Sequence, residues 1–204
     1  MSIVFTKPRI NGLIPRNRIM RSATYEALGT ETGLCTDKLT KLYSKLARGG
    51  CGLIVSGCAY VCKQGQGDKY QIGITNDEQI SSINKMISEV HKNSGLMVLQ
   101  LNHAGVQAHP KLTGFPISEG PSQTNPKNKA MSKATINDVI NAFIMAGKNA
   151  VAAGADGIQL HAAHGYLLSE FLSPAFNRRS DVWGYTRKDE GNRIIKVISS
   201  EIKK

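Results

Sequence analysis

An α/β fold on a parallel sheet is what this sequence predicts, and three observations carry the prediction. Segments of strand character alternate four times with segments of helical periodicity. The run Cys51–Ser56 is continuously apolar, as strands covered on both faces are, and Leu96–Leu101 is apolar except for Gln100. Glycines stand where each helix must give way to the next strand: Gly49 and Gly50, then Gly95, then Gly154. Alternation of this kind predicts parallel strands joined by right-handed crossovers.

Each element has its own local justification. Asn17–Thr24 reads as the first strand, after the turn signals Asn11-Gly12 and Pro15. Thr36 has the chemistry of an N-cap, and Leu39, Leu42, Tyr43 and Leu46 follow at helical spacing. After the second strand, Cys51–Ser56, comes a loop with Gly65 and Gly67. The second helix is expected over about Asp77 to Lys92, with Ile80, Ile83, Ile87 and Val90 on one face. The third strand, Leu96–Leu101, opens onto a long polar connection, residues 102–134, with prolines at 110, 116, 121 and 126. Connections of that length are usually functional lids or disordered. Thr135-Ile136-Asn137-Asp138 reads as a capping box with Asp in place of Glu. It would open a helix striped by Ile136, Val139, Ile140, Phe143, Ile144 and Val151. Ala155–Leu160 is the fourth strand, and a last helix is expected over about Asn192 to Ile202.

A chain of 204 residues suits one domain, 1–204, able to bury roughly 70% of its unfolded surface if it closes a core. No apolar run approaches the roughly 18 residues a spanning helix needs, and no membrane partner is expected. The first residues lack the basic-then-apolar layout of a signal peptide, so a cytoplasmic location is expected. Cys35, Cys51, Cys58 and Cys62 match no zinc or iron–sulfur spacing and suit free thiols in a reducing compartment. The net charge of +11 raises nucleic acid as a partner. Against it, the lysines are dispersed along helices and no arginine cluster is interleaved with aromatics, so a solvated basic surface is expected.

The chemistry concentrates in the stretch Gly157–Pro174. An apolar strand runs into His161-Ala162-Ala163-His164-Gly165-Tyr166, which presents two imidazoles and a phenol at one strand end. Parallel-sheet proteins build active sites at such carboxyl ends. Histidines at a strand end also serve merely to satisfy backbone groups, and a metal reading of His-x-x-His stays open, although no third ligand is obvious.

From His161 to Pro174 the sequence closely resembles the signature of the old yellow enzyme family, the FMN-dependent ene-reductases. Asn177 to Gly184 continues the match, with Asn177, Arg179 and Asp181 at corresponding positions, and the similarity extends back to Asn17. The resemblance implies a (β/α)8 barrel of TIM type, of which only the first four βα units are present here, the N-terminal half of an FMN-binding barrel. It implies FMN as cofactor, held by Ser22, Ala23 and Thr24, by Gly57 and Cys58, by Gln100 and by His161. Short side chains at 22–24 and 57–58 suit close approach of a flat ring, and ordinary tight strand packing accounts for them equally well. Gln100 can donate and accept along a flavin's pyrimidine edge.

The resemblance further implies an enone-type small-molecule substrate whose carbonyl is bound by His161 and His164, with Tyr166 as proton donor and NADH or NADPH as reductant. Tyr25 falls where relatives place a Thr or Cys near the flavin carbonyl, and it joins the substrate-contacting set. Gly65-Gln66-Gly67 lacks the third glycine and the strand-to-helix setting of a dinucleotide fingerprint. That absence is expected if the nicotinamide enters the flavin pocket itself. Asn177–Gly184 is expected to order the loop behind the histidines, while Tyr185 replaces a usual glycine and Arg187–Gly191 reads as a small insertion. In the family the phosphate of FMN and a ribityl-contacting Arg belong to later strands, beyond these residues. The missing half is expected from further polypeptide, a C-terminal half chain or a homo-oligomer; the alternative is a truncated, non-catalytic fragment that associates with a partner half.

Overall fold

The computed structural model describes residues 2–186, 188 and 191–202. Its main sheet has five strands: β1 (Met20–Arg21), β2 (Leu53–Val55), β3 (Ala59–Tyr60), β4 (Leu96–Asn102) and β7 (Gly157–Leu160). The order is β1-β2-β4-β3, with β7 also on β4. The pairs β1–β2 and β2–β4 are parallel, in registers that set Met20 opposite Leu53 and Leu53 opposite Leu96. A smaller parallel pair joins β5 (Ser118–Gly120) to β6 (Asn128–Ala130). The helices are α1 (Asp37–Arg48), α2 (Asp77–Lys92), α3 (Pro110–Thr113), α4 (Lys133–Ala152), α5 (Leu167–Phe171) and α6 (Arg193–Ile202).

The residues gather into two compact units. The first comprises Met1–Ala59, Tyr70–Gln100 and Asn149–Gln159. Its core is the apolar run of β2, with Ile54 at 0% exposure, against Tyr43 and Ala47 of α1 and Ile83, Met86 and Val90 of α2. Thr36 caps α1, its Oγ1 accepting from the N–H of Leu39, as its position in the sequence implies. Asn76 does the same for α2 through the N–H of Gln79. Asp156, just before β7, accepts from the N–H of Met97 at 2.6 Å and from His91 Nε2 at 2.8 Å, fixing the start of β7 beside β4.

The expected first strand, Asn17–Thr24, shrinks to Met20–Arg21. Asn17 is used otherwise: its Oδ1 accepts from the N–H of Ile19 and its Nδ2 donates to Gly50. Met20 is 55% exposed and Ile19 41%, so this strand is covered far less than β2.

The second unit comprises Tyr60–Lys69, Leu101–Lys148 and Leu160–Lys204. Here the stretch 102–134 is ordered: a 3-10 turn at Gly105–Gln107, then α3, β5 and β6 occupy it. Asn128 organises the turn before β6, its Oδ1 accepting from the N–H groups of Thr124 and Asn125. The helix-opening cap lies a turn earlier than expected. Ser132 accepts from the N–H of Thr135 at 3.0 Å, and the helix begins at Lys133.

The expected stripe on α4 holds for Ile136, Val139, Ile140 and Phe143 but not for Val151, which is 69% exposed. Val151 lies eight residues beyond Phe143, about 80° round the helix, and Ala146 and Ala150 take the buried face instead. The loop of Asn177 to Gly184 is held by its own polar residues. Asn177 Nδ2 donates to the carbonyls of Phe171 and Trp183, and Arg179 pairs with Asp181 at 2.6 and 2.9 Å while donating to Pro121 and Met131. Of the expected insertion at 187–191, residues 187, 189 and 190 lie outside the described residues.

Candidate active site

In the first unit, the strand ends are drawn together by a buried polar chain. Arg21 pairs with Glu26 at 3.2 Å, Glu26 accepts from the hydroxyl of Tyr43 at 3.0 Å, and that hydroxyl accepts from the N–H of Gly57 at 2.8 Å. Burial pushes the Glu26 carboxyl up, opposed by the Tyr43 hydrogen bond and the Arg21 charge. Burial, with the neighbouring Glu26 charge, also pushes the Tyr43 phenol up. Gly57 stands so close to the strand end before it that a Cβ there would lie 2.7 Å from the carbonyl oxygen of Thr24. The absence of a side chain at 57 is thus a packing requirement.

Ser22 and Thr24 are exposed and Ala23 half-buried, with Arg21 donating to the carbonyl of Ser22 and to the hydroxyl of Thr24. Cys58 is half-buried, and Gln71 donates to its carbonyl at 3.2 Å. Tyr25 is 42% exposed. Gln100, 8% exposed, donates from Nε2 to the side-chain oxygen of Gln159 at 2.7 Å. That bond leaves Gln100 one N–H and its carbonyl oxygen for a ligand. These strand ends thus present small, exposed or half-buried residues, a glycine that packing requires, and an amide held in one orientation.

The second unit holds the histidines. The N–H of His161 donates to Leu101 at 2.9 Å, carrying the strand pairing one residue past β7. The chain then turns sharply: His164 has φ +58° and Gly165 φ +72°. For His164 the left-handed conformation costs roughly 1–2 kcal/mol; glycine at 165 adopts it freely.

The turn is fixed on several sides. Gln107 donates from Nε2 to the carbonyls of both His164 and Gly165, at 2.8 and 2.7 Å. The N–H of Tyr166 donates to Ala163, and the N–H of Leu167 to the carbonyl of His103. The outcome is a compact trio of rings. The imidazoles of His161 and His164 meet edge-on with centroids 5.2 Å apart, and the Tyr166 ring lies 5.0 Å from that of His161. His161 is buried and His164 exposed. Burial, with a smaller push from His164, lowers the pKa of His161, so it is a neutral imidazole near pH 7 with one N–H to give.

Three residues that the sequence reading passes over support this turn. Glu170 of α5 is 0% exposed; its Oε1 accepts from the N–H of Val106 at 2.9 Å, and burial pushes its carboxyl up to about 8. His103 is also buried, its Nδ1 accepting from the N–H of Gly105, and burial pulls it down to about 4. Gln107 is the third. None has a local pattern that marks it: Gln107 and Glu170 act on residues distant in the chain, and His103 meets Leu167 through its backbone carbonyl. The described residues contain no group of three or more side chains able to hold a metal ion, and the four cysteines are free.

The profile of the NADH:flavin oxidoreductase / NADH oxidase family, an FMN family, matches residues 9–195. The chain belongs to this family. A NADPH dehydrogenase of Listeria monocytogenes is 33% identical over 205 residues, covering 100% of this chain and 60% of its own. A NADH oxidase of Thermoanaerobacter brockii is 34% identical over 187 residues, covering 89% of this chain and 29% of its own. The solved old yellow enzyme homologue from Zymomonas mobilis superposes with a TM-score of 0.91 at 26% identity, over 98% of this chain and 59% of that one. Old Yellow Enzyme from Pichia sp. AKU4542 gives a TM-score of 0.92 at 25% identity, over 98% and 56%. The chain therefore corresponds to the first four βα units of the family's (β/α)8 barrel, and spans about 60% of the length of the Listeria dehydrogenase it matches. No helix among the described residues is long and apolar enough to cross a membrane.

Proposed function

We propose that this chain carries the flavin-facing and substrate-binding half of an FMN-dependent oxidoreductase that reduces α,β-unsaturated carbonyl compounds with NADH or NADPH. The observation that carries the reading is the ring trio of His161, His164 and Tyr166 on a turn fixed by hydrogen bonds.

When bound and reduced by NADH or NADPH, FMN would supply the hydride that adds to the β-carbon of the substrate. Ser22, Ala23, Thr24, Gly57 and Cys58 would give the ring a small-residue seat, and Gln100, whose amide Gln159 holds in one orientation, would hydrogen-bond its pyrimidine edge. His161 contributes to the cofactor's surroundings as well as to substrate. His161 and His164 each offer an N–H to the substrate carbonyl oxygen, where negative charge collects as the β-carbon is attacked. A neutral His161 suits that task, since it stabilises the charge without giving up its proton. Tyr166 delivers the proton to the α-carbon, completing saturation of the double bond. Tyr25 borders the substrate.

Losing one such donor typically costs about 2.7–4 kcal/mol of barrier, a factor of about 100 to 1,000 in rate. The chain mixed with FMN and then freed of unbound FMN should stay yellow and bleach on anaerobic addition of NADH or NADPH; a chain that retains no FMN sinks this reading. Replacing His161 and His164 together by Ala should abolish the long-wavelength charge-transfer band given by bound phenols, and an undiminished band refutes their role.

A second reading draws on exposure. Met20 and Ile19 beside β1, and Met145 and Val151 on α4, at 53% and 69%, leave apolar side chains in water. A half barrel that works only with a complementary half would present such residues. Light scattering separates the two: a flavin-free monomer favours the fragment, a larger flavin-loaded species favours catalysis.

A further inference from the structure

Gln107 sits at the end of the 3-10 turn Gly105–Gln107, exposed at the surface of the second unit, and spends its amide on two backbone carbonyls 57 and 58 residues away. Both acceptors belong to left-handed residues, His164 and Gly165. Only the amide nitrogen can face two carbonyls, so the orientation of the side chain is settled by chemistry. A side chain on Gly165 would come within 2.8 Å of that nitrogen, which shows how closely the amide is seated. The turn that bears Gln107 is anchored in its own right. The N–H of the preceding residue, Val106, donates to Glu170, and Glu170 stands four residues after Tyr166 on the segment that leaves the histidine turn. The chain thus closes a ring of hydrogen bonds: Gln107 onto His164 and Gly165, and Glu170 back onto Val106.

We propose that Gln107 is a positioning residue for His164: a clasp that holds the His164–Gly165 turn in its left-handed form and so sets the His164 imidazole at the edge of His161. The catalytic consequence rests on the function proposed above; the clasp itself does not. A left-handed histidine relaxes readily to an ordinary backbone conformation when nothing holds its carbonyl, and the imidazole moves with it. Gln107 donates to the backbone of the turn, at the carbonyls of His164 and Gly165, so its effect is one of aim.

The test uses the full chain. In the ligand-free chain, proton NMR should show a through-space contact between the rings of His161 and His164. With FMN added, 4-hydroxybenzaldehyde should give a charge-transfer band whose titration yields an affinity. Gln107→Ala should lose the ring contact and weaken 4-hydroxybenzaldehyde at least tenfold, with far-ultraviolet circular dichroism unchanged. Gln107→Lys, whose ammonium can donate to both carbonyls, should restore both readouts. A Gln107→Ala chain that keeps ring contact and affinity, or a Gln107→Lys chain that regains neither, overturns the proposal. Should Gln107→Ala fail to fold, the Lys variant alone decides, by keeping or losing the ring contact. If the unmodified chain gives no phenol band, the proposed function falls while the ring contact still decides the clasp.

Discussion

Glu26 and Glu170 are two carboxyls withdrawn from water in different parts of the molecule, and their surroundings are opposite. Glu26 ends a chain of partners: a guanidinium on one side, and a phenol that in turn holds the N–H of Gly57. Glu170 has one backbone N–H, from Val106, and its other oxygen has no hydrogen-bond partner among the described residues. Burial raises both, but only for Glu26 do a cation and a hydroxyl push back. The strand ends around Glu26 are therefore tied through a carboxyl whose burial is offset by a cation and a hydroxyl, whereas the histidine turn is tied through a carboxyl that burial pushes up to about 8. A carboxyl raised by burial with no cation beside it binds a proton in the folded chain that the unfolded chain has lost, and the signature of that difference is a pH response.

The largest effect expected is accordingly at Glu170. Its folded-state pKa of about 8 lies above the ordinary 4.5. Between those values the folded chain keeps a proton that the unfolded chain has lost, so stability falls as pH rises through the window and levels off above it. At about 1.4 kcal/mol per pH unit, the window amounts to a few kcal/mol at most. Glu170→Gln keeps an acceptor for Val106 and cannot ionise. Urea midpoints at pH 5, 6.5 and 8 should draw the parent below this variant as pH rises; parallel pH profiles would break the contrast. Glu26→Gln should change the profile less, since its shift is opposed by Arg21 and Tyr43.

Next in size is Tyr43→Phe. The phenol is fully buried and serves Glu26 and Gly57 at once. Removing it strands a buried N–H and a carboxylate oxygen, which costs about 1–3 kcal/mol. Because Gly57 is pressed against Thr24, the same change should weaken FMN binding more than the loss of stability explains. A variant that loses stability but binds FMN as before would show that this chain supports the fold and not the cofactor seat.

Much of the fold was legible in the sequence because it depends on near neighbours. The apolar run Cys51–Ser56 became β2, the largely apolar Leu96–Leu101 became β4, and the periodic stretch Asp77–Lys92 became α2 with Asn76 before it. The His161–Tyr166 trio was legible too, as all three rings lie within six residues of one strand end. What escaped was either short or distant. β3, β5, β6 and α5 span two to five residues, too few for a period to declare itself. Gln159 is one polar residue on a short strand, and Gln107, His103 and Glu170 acquire meaning only when segments more than fifty residues apart meet. The first strand was read too long because Asn17 spends its amide on Ile19 and Gly50, and the carbonyl of Ser22 accepts from the side chains of Arg21 and Thr24 rather than from a neighbouring strand.

The smallest effect settles a point where sequence and structure part. Thr135-Ile136-Asn137-Asp138 has the form of a capping box, yet Thr135 lies inside the first turn of α4, and its N–H donates to Ser132. Both hydroxyls are within reach of each other at 2.9 Å, so either alone looks able to serve. Position decides between them. An N-cap must have its side chain ahead of the free N–H groups of the first turn, and only Ser132 does. Ser132→Ala should cost about 1 kcal/mol, whereas Thr135→Ala removes no backbone partner and trades a β-branched residue for a better helix former. Thermal unfolding of the two variants should therefore move in opposite directions or differ clearly in size. Equal losses would mean that the two hydroxyls cap α4 together, and that the sequence pattern was half right.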